Sequence, residues 1–378
     1  MAFGLKMGVI LPGMDIVEKV FTALEVCHRD GLLNHNDVIC ITESIVARAQ
    51  NNYISLDDIA REMKDKLSLA PDSRVGVLFP IISRNRFSMI LKGIARAVPE
   101  GEVVVQLSFP ADEVGNEIIP PDFAESLDTD LITADDLAGH HFKHPLTGVN
   151  YLDLYQGIIR EAGPKATIIL SNDPRQILAY KPDAVIAADI HTRNKTRKAI
   201  TEHFENCITL DQVCREGKAY SEWGLLGSNM SAGERLKLAP RDGAIVVKEL
   251  QGKVSKELGV DLQVLIYGDG AYLDPSSGIY ELADPCAAFA VTDGLNLNRQ
   301  GIKYKLLADQ CFHEENKSAA EIEAIIAAGT NKDLPEDCQE KEGTTPRRME
   351  DVLASLADLI SGSADAGTPV VVIKGFLA

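Results

Sequence analysis

Apolar positions along this chain recur in two periods, and the alternation of those periods predicts its elements. "MGVILPG" reads as a strand closed by a breaker, and "IVEKVFTALEVCHRDG" carries apolar residues at helical spacing up to Gly31. "DVICITES" has the unbroken apolar run of a buried strand, and "LDDIAREMKDKLSL" predicts a helix capped near Ser55. "RVGVLFPII" and "EVVVQLSFP" read as further strands, while "RFSMILKGIARAV" between them fits a helix or a strand.

The pattern changes at "PADEVGNEIIPPDFAESLDTDLITADDLAG", which is acidic, proline-bearing and poor in periodicity, and predicts a long surface connection. Beyond it, "VNYLDLYQGIIREAG", "ATIILSND", "AVIAADIHTR" and "KTRKAITEHF" alternate helix and strand, the signal of βαβ units. A helix, "AIVVKELQGKVSKELG", then leads into the strand "DLQVLIYGDGAY". A charged stretch, "NKDLPEDCQEKEGTTPRR", precedes a helix, "MEDVLASLADLISG", and a last valine-rich strand. No repeat of 20 to 50 residues is present. The prediction is a mixed α/β (α+β) fold in three stretches: 1–110, an inserted α/β block over 111–240, and 241–378. With 378 residues, the chain exceeds what a single core usually serves.

Composition narrows the function classes. The chain is 45% apolar and 25% charged, which is ordinary globular usage. Its formal net charge of −18 argues against non-specific binding to nucleic acid or to an anionic membrane. A local basic cluster or a metal ion can still recruit an anionic substrate. No apolar run approaches the ~18 residues of a membrane span, and Pro12 and Asp15 interrupt the first one too early for a signal peptide. Seven cysteines, an odd count with no CxxC pair, are the usage of a reducing compartment, so a cytoplasmic protein is expected.

The familiar phosphate fingerprints GxxxxGK[ST] and GxGxxG are absent, as are GxSxG and HExxH. Other groups at strand ends are the candidates. "LIYGDGAY" places Asp269 between glycines at the end of an apolar strand, where a metal-binding carboxylate and a tight Asp-Gly turn share one spelling. "SFPADEVGNE" offers Asp112, Glu113 and Asn116, hard oxygen donors suited to Mg²⁺ or Mn²⁺ but equally ordinary in a solvated loop. In "ITESIVARAQ", Glu43 and Ser44 interrupt an apolar run before Arg48, which has the geometry to hold phosphate oxygens; a helix cap is the alternative. Arg84, Arg86 and Lys92 form a basic cluster in an acidic protein, either for substrate carboxylates or phosphates or for surface ion pairs. Asp189, His191 and Arg193 follow another strand.

Three segments, in order, carry a family resemblance. "LASLADLISGSADAGTPVVVIKG" resembles the C-terminal segment of the coenzyme F420-0:L-glutamate ligases (γ-glutamyl ligases), in which a helix, a small acidic glycine-bearing loop and a G-x-P lead into a valine-rich strand. "DVICITESIVARAQ" looks like the family's N-terminal strand and its Ser/Thr loop. "LQVLIYGDGAY" is similar to the central strand, which ends in a metal-binding aspartate. The resemblance covers roughly the first 100 and the last 130 residues, with a middle block like that of a longer bacterial-type branch.

It implies a GTP- and divalent-metal-dependent ligase that joins L-glutamate to a carboxylate of F420-0, or of a pterin- or folate-like acceptor, through an acyl phosphate. It also implies a homodimer. Carried over by position, the nucleotide contacts fall on Leu11, Pro12, Gly13, Met14, Glu43, Ser44 and Arg48, then on Gly362, Ser363, Asp365, Gly367 and Thr368. Asp269 is the implied metal ligand and, with Arg48, catalytic. "KGIARAV" puts Ala95 where the family has an early metal-binding aspartate, so Asp112 or Glu113 is expected to replace it, or one metal is lost. That departure motivates a second reading, a nucleotide- or metabolite-binding protein without catalysis.

Overall fold

A computed structural model describes the chain apart from residues 83–84, 138, 146, 270–283, 297, 300–302, 328–346, 362–366 and 378. The elements in chain order begin with β1 (Ala2–Leu5), α1 (Ile16–Arg29), β2 (Val38–Thr42), α2 (Glu43–Ala49), β3 (Tyr53–Ser55) and α3 (Leu56–Leu67). Next come β4 (Arg74–Leu78), α4 (Asn85–Ala97), β5 (Glu102–Leu107), α5 (Pro121–Ser126), α6 (Tyr151–Glu161), β6 (Lys165–Leu170) and a 3₁₀ segment, Pro174–Tyr180. β7 (Ala184–Ala187), α7 (Arg193–Thr201), β8 (Cys207–Thr209), β9 (Asn229–Ser231) and β10 (Arg235–Lys237) complete the middle of the chain. The remainder holds α8 (Gly243–Leu258), β11 (Gln263–Tyr267), β12 (Ala288–Val291), β13 (Asn298–Arg299), α9 (Tyr304–His313), α10 (Ala319–Ala327), β14 (Arg347–Arg348), α11 (Met349–Ser361) and β15 (Val370–Ile373).

The first sheet has the order β1-β15-β2-β11-β12 and joins the two ends of the chain. β2 and β11 run parallel, and β15 lies antiparallel to β2. Both faces are covered, which explains why these strands read as unbroken apolar runs. Ile39 and Ile41 pack with Val264, Ile266 and Val372 against α1 and α8. Val38 and Cys40 pack with Leu265, Val371 and Ile373 against Leu353, Ala354 and Ala357 of α11. Local chemistry agrees with this arrangement: Asp15 accepts from the Glu18 N–H at the start of α1, and Ser55 from the Asp58 N–H at the start of α3.

The second sheet is wholly parallel, in the order β6-β5-β4-β7-β8. Helices α3, α4 and α6 cover one face, while the 3₁₀ segment and α7 cover the other. The ambiguous stretch after β4 is a helix because Phe87, Ile90, Leu91 and Ile94 place one buried stripe at helical spacing. A small antiparallel sheet, β3-β10-β9, lies between the two in sequence.

Sheet pairing moves the boundary expected at 110/111. β4 and β5 pair with β6 and β7, so the α/β block opens at about residue 51 and the first stretch contributes only β1 to α2 to the outer sheet. Periodicity identifies strands but not their partners, and the acidic proline-bearing stretch, taken for a boundary, is a crossover inside one sheet. It is also less superficial than its composition suggests. Ile118, Ile119, Ala124 and Ile132 are buried, and Ile132 bridges to Leu170.

One buried acid in this block sets a pH dependence. Asp189, after β7, is fully buried, and its Oδ2 accepts from Thr192 Oγ and Thr196 Oγ at 2.6 and 2.8 Å, while Oδ1 has no partner. Burial raises its pKa from the ordinary 3.8 to about 6, although the threonine hydroxyls pull the other way. Because the folded-state value is raised, the folded chain binds the proton more tightly. The associated stability is complete below pH 3.8 and is lost as pH rises through about 6. Two units correspond to roughly 3 kcal/mol. Asp189→Asn is therefore expected to gain stability relative to the wild type by up to about that amount between pH 4 and pH 7. Urea unfolding across this range checks it, and parallel stability curves for the two proteins would contradict it.

Candidate active site

Parallel pairing brings the carboxyl ends of β2 and β11 side by side, with Thr42 opposite Tyr267. The antiparallel β15 delivers its amino end to the same edge, where the Thr42 N–H donates to Pro369 O at 2.9 Å. Strand direction alone thus gathers residues 42–44, 268–269 and 367–369 from three distant parts of the sequence.

Two linked charge groups occupy this edge. In the first, Lys237 at the end of β10 places Nζ 2.9 and 3.0 Å from the Glu43 carboxylate and 2.9 Å from Ser44 Oγ. Asn229 Nδ2 donates to Glu43 Oε1 at 3.3 Å. Both charged side chains are under a tenth exposed. Burial raises the Glu43 pKa, and the nearby Asp284 adds to that effect; Lys237 and Arg86 oppose it without cancelling it.

In the second group, Arg86 near the start of α4 donates from Nη1 to Asp284 Oδ1 at 2.9 Å and from Nη2 to Asp269 Oδ2 at 3.4 Å. Burial works against its charge, but Asp284 and Asp269 outweigh burial and hold it protonated. Asp284 is almost fully buried, whereas Asp269 is 26% exposed and accessible to a ligand. The Asp269 N–H also donates to Asp284 Oδ2 at 2.9 Å. Gly268 makes this packing possible, since a Cβ there would lie 2.5 Å from Asp284 Oδ2 and 2.6 Å from the Phe289 ring.

Three carboxylates, Glu43, Asp269 and Asp284, thus stand with two cations, Lys237 and Arg86, among the described residues. Among the described residues no group of three histidine, cysteine or carboxylate side chains could itself hold a metal ion. The donor set instead fits Mg²⁺ or Mn²⁺, which commonly take one or two carboxylates with phosphate oxygens and water. Asp269 is the carboxylate that would hold such an ion, while the Asp284 oxygens are engaged by Arg86 and by the Asp269 N–H.

The other expected residues distribute as follows. Leu11, Pro12 and Gly13 are exposed, with Met14 partly so, and the loop is tied to the end of α2 by the Gly13 N–H on Ala49 O at 2.8 Å. Arg48 lies in the last turn of α2, its side chain exposed. It stands five residues beyond Glu43, about 7.5 Å along the helix axis. Gly367 takes a left-handed conformation (φ +64°) and accepts at its carbonyl from the Met7 N–H, and Thr368 packs against Gly4 of β1. Gly362, Ser363 and Asp365 lie outside the described residues, as does Arg84.

Two expectations are corrected. Asp112 and Glu113 do not present open metal-binding oxygens. Asp112 accepts from the N–H groups of Ile82, Val114 and Asn116 and from Asn116 Nδ2, at 2.6 to 3.1 Å. Glu113 accepts from the N–H groups of Ile190, His191 and Thr192. Both carboxylates therefore fasten loops at the carboxyl edge of the second sheet. Ala95 is fully buried in the apolar core beneath α4, so an aspartate there would face hydrocarbon rather than a ligand.

Sequence reasoning missed Lys237, Asn229 and Asp284, and it offered Arg86 to a substrate or a surface ion pair rather than to the buried pair with Asp284. Only Lys237 left a local trace. "LKLAP" puts one lysine inside a run whose five residues, 236–240, are all buried.

The sequence model described as F420-0:gamma-glutamyl ligase matches residues 4–375 of the chain. No curated protein matches it.

Proposed function

The chain belongs to the F420-0:gamma-glutamyl ligase family, a membership that covers nearly its whole length, and from this premise we propose a GTP- and divalent-metal-dependent reaction. The substrates are L-glutamate and a carboxylate of F420-0 or a related cofactor, and the product is a γ-glutamyl amide. What supports the reading is the pairing of an accessible carboxylate, Asp269, with buried cations at the edge where Gly367 and Thr368 also stand.

A free carboxylate is a poor acyl donor; transfer of the γ-phosphoryl group of GTP to it would release GDP and give an acyl phosphate, from which the glutamate amine would displace inorganic phosphate, a bound divalent ion supplying charge neutralisation. The chain's own residues have separable tasks in this scheme. Asp269 would hold the ion, with Arg86 and Asp284 keeping its carboxylate oriented. Glu43 is fixed by Lys237 and Asn229 at the start of α2, and Ser44 is fixed by the same ammonium. Arg48 and the Leu11–Met14 loop extend the surface beyond α2 for the rest of the nucleotide, and Thr368 with Gly367 extends it from β15.

The direct test is phosphate release from GTP with Mg²⁺ or Mn²⁺, glutamate and either F420-0 or a folate. Release that requires both glutamate and one of these acceptors is expected. Tight GTP binding with no release under any of these combinations would overturn the proposal.

A further inference from the structure

Arg86 contacts Asp269 at the point where the proposed reading puts a divalent ion. Its guanidinium is anchored on Asp284 Oδ1 at 2.9 Å and reaches Asp269 Oδ2 at 3.4 Å, so the contact to Asp269 is the looser of the two. Asp284 Oδ2 also accepts from the Asp269 N–H at 2.9 Å, which ties the backbone of Asp269 beside the same cation. The charge is permanent and confined. Burial works against it, but Asp284 and Asp269 outweigh burial and keep the guanidinium protonated. The side chain is 7% exposed, and the hollow beside it, about 20 Å³ and lined by Ile81, Phe87, Ile90, Leu225 and Leu226, has room for about one water.

A divalent ion at Asp269 meets that charge. Mg²⁺ and Mn²⁺ are held by the negative charge of their carboxylate ligands, and a guanidinium on one oxygen reduces what the carboxylate offers at either oxygen. Two cations a few ångströms apart repel more strongly in a partly buried site than in water. Asp269 is 26% exposed, so it is open in space while its charge is already shared. Orientation alone does not call for a cation here, since a neutral N–H or O–H donor would also hold the carboxylate.

We infer that Arg86 is a built-in counter-ion that competes with the divalent ion for Asp269 and keeps the affinity for free ion low, which rests on the reading of Asp269 as the metal-binding carboxylate. Asp284 is the counterweight, since it holds the guanidinium and limits how much of its charge falls on Asp269.

The test titrates the full chain with Mn²⁺ in the absence of nucleotide, followed by electron paramagnetic resonance. Asp269→Asn identifies the binding that belongs to this strand end among ions held elsewhere on a chain of net charge −18. Arg86→Gln should tighten the Asp269-dependent binding about tenfold or more. Because that variant leaves Asp284 buried without its main cation, a second pair of variants stands beside it. Asp284→Asn leaves Arg86 to lean on Asp269 and should weaken the binding about tenfold, and adding Arg86→Met should restore it to the wild-type level or above. Binding unchanged or weakened in a folded Arg86→Gln, or not restored in the folded double variant, would overturn the proposal while leaving Asp269 as the metal carboxylate. Mn²⁺ binding that Asp269→Asn leaves wholly intact would instead remove the Asp269 reading itself, and the proposal with it.

Discussion

Lys237→Ala is expected to remove glutamate-dependent phosphate release and to lower folding stability by about 3–5 kcal/mol, the usual consequence of leaving one member of a buried ion pair alone. Lys237 is the main counter-charge to Glu43, and both are under a tenth exposed. Burial already raises the Glu43 pKa in the intact protein. Without the ammonium, Glu43 would take up a proton, so the loss in stability should be smaller in acid than at neutral pH. The sign follows from linkage: a raised folded-state pKa favours the folded chain below it and penalises folding above it. The double variant Glu43→Gln/Lys237→Met should recover much of the stability without recovering turnover. Urea unfolding at pH 5 and pH 8, together with phosphate release, separates the two effects. A single variant with wild-type stability at pH 8 would show that the pair carries no such weight.

The partial legibility of this site has a physical cause. The strands of the outer sheet could be read because both faces are covered, and every position of "VVVI" and of "VICI" is buried. Asp269 and Glu43 could be read because each ends such a run. Their partners come from other elements. Lys237 arrives on a three-residue strand, Arg86 on a helix whose buried stripe masks its polar end, and Asp284 fourteen positions after Gly270 in a stretch with no periodicity. A one-dimensional pattern records which residues are inside but not which elements meet. The same limitation misplaced the block boundary: β4 looks alike whether it pairs with β2 or with β7. Asp112 and Glu113 show the converse error. Clustered acids after a strand match a metal site by composition, yet backbone N–H groups occupy their oxygens, a fact settled only by loop conformation.

Asp269→Asn tests the chemistry more directly than any change in the Lys237 pair. The side chain is accessible and sits at the end of β11, and Arg86 would keep its 2.9 Å contact with Asp284. Stability should therefore change little. Turnover should fall about 10²–10³-fold, the scale on which one preorganised electrostatic group at a charge-developing centre acts. The loss should also have a metal signature. An amide keeps an oxygen donor but surrenders the charge, so the Mg²⁺ concentration giving half-maximal rate should rise, and the residual activity should respond more steeply to Mn²⁺. Asp284→Asn provides the contrast: it removes the main partner of a buried guanidinium and should destabilise the fold as well as slow the reaction. Should Asp269→Asn turn over at the wild-type rate with an unchanged metal requirement, the ion would have to be held elsewhere, and the assignment of this strand end as the metal centre would fail.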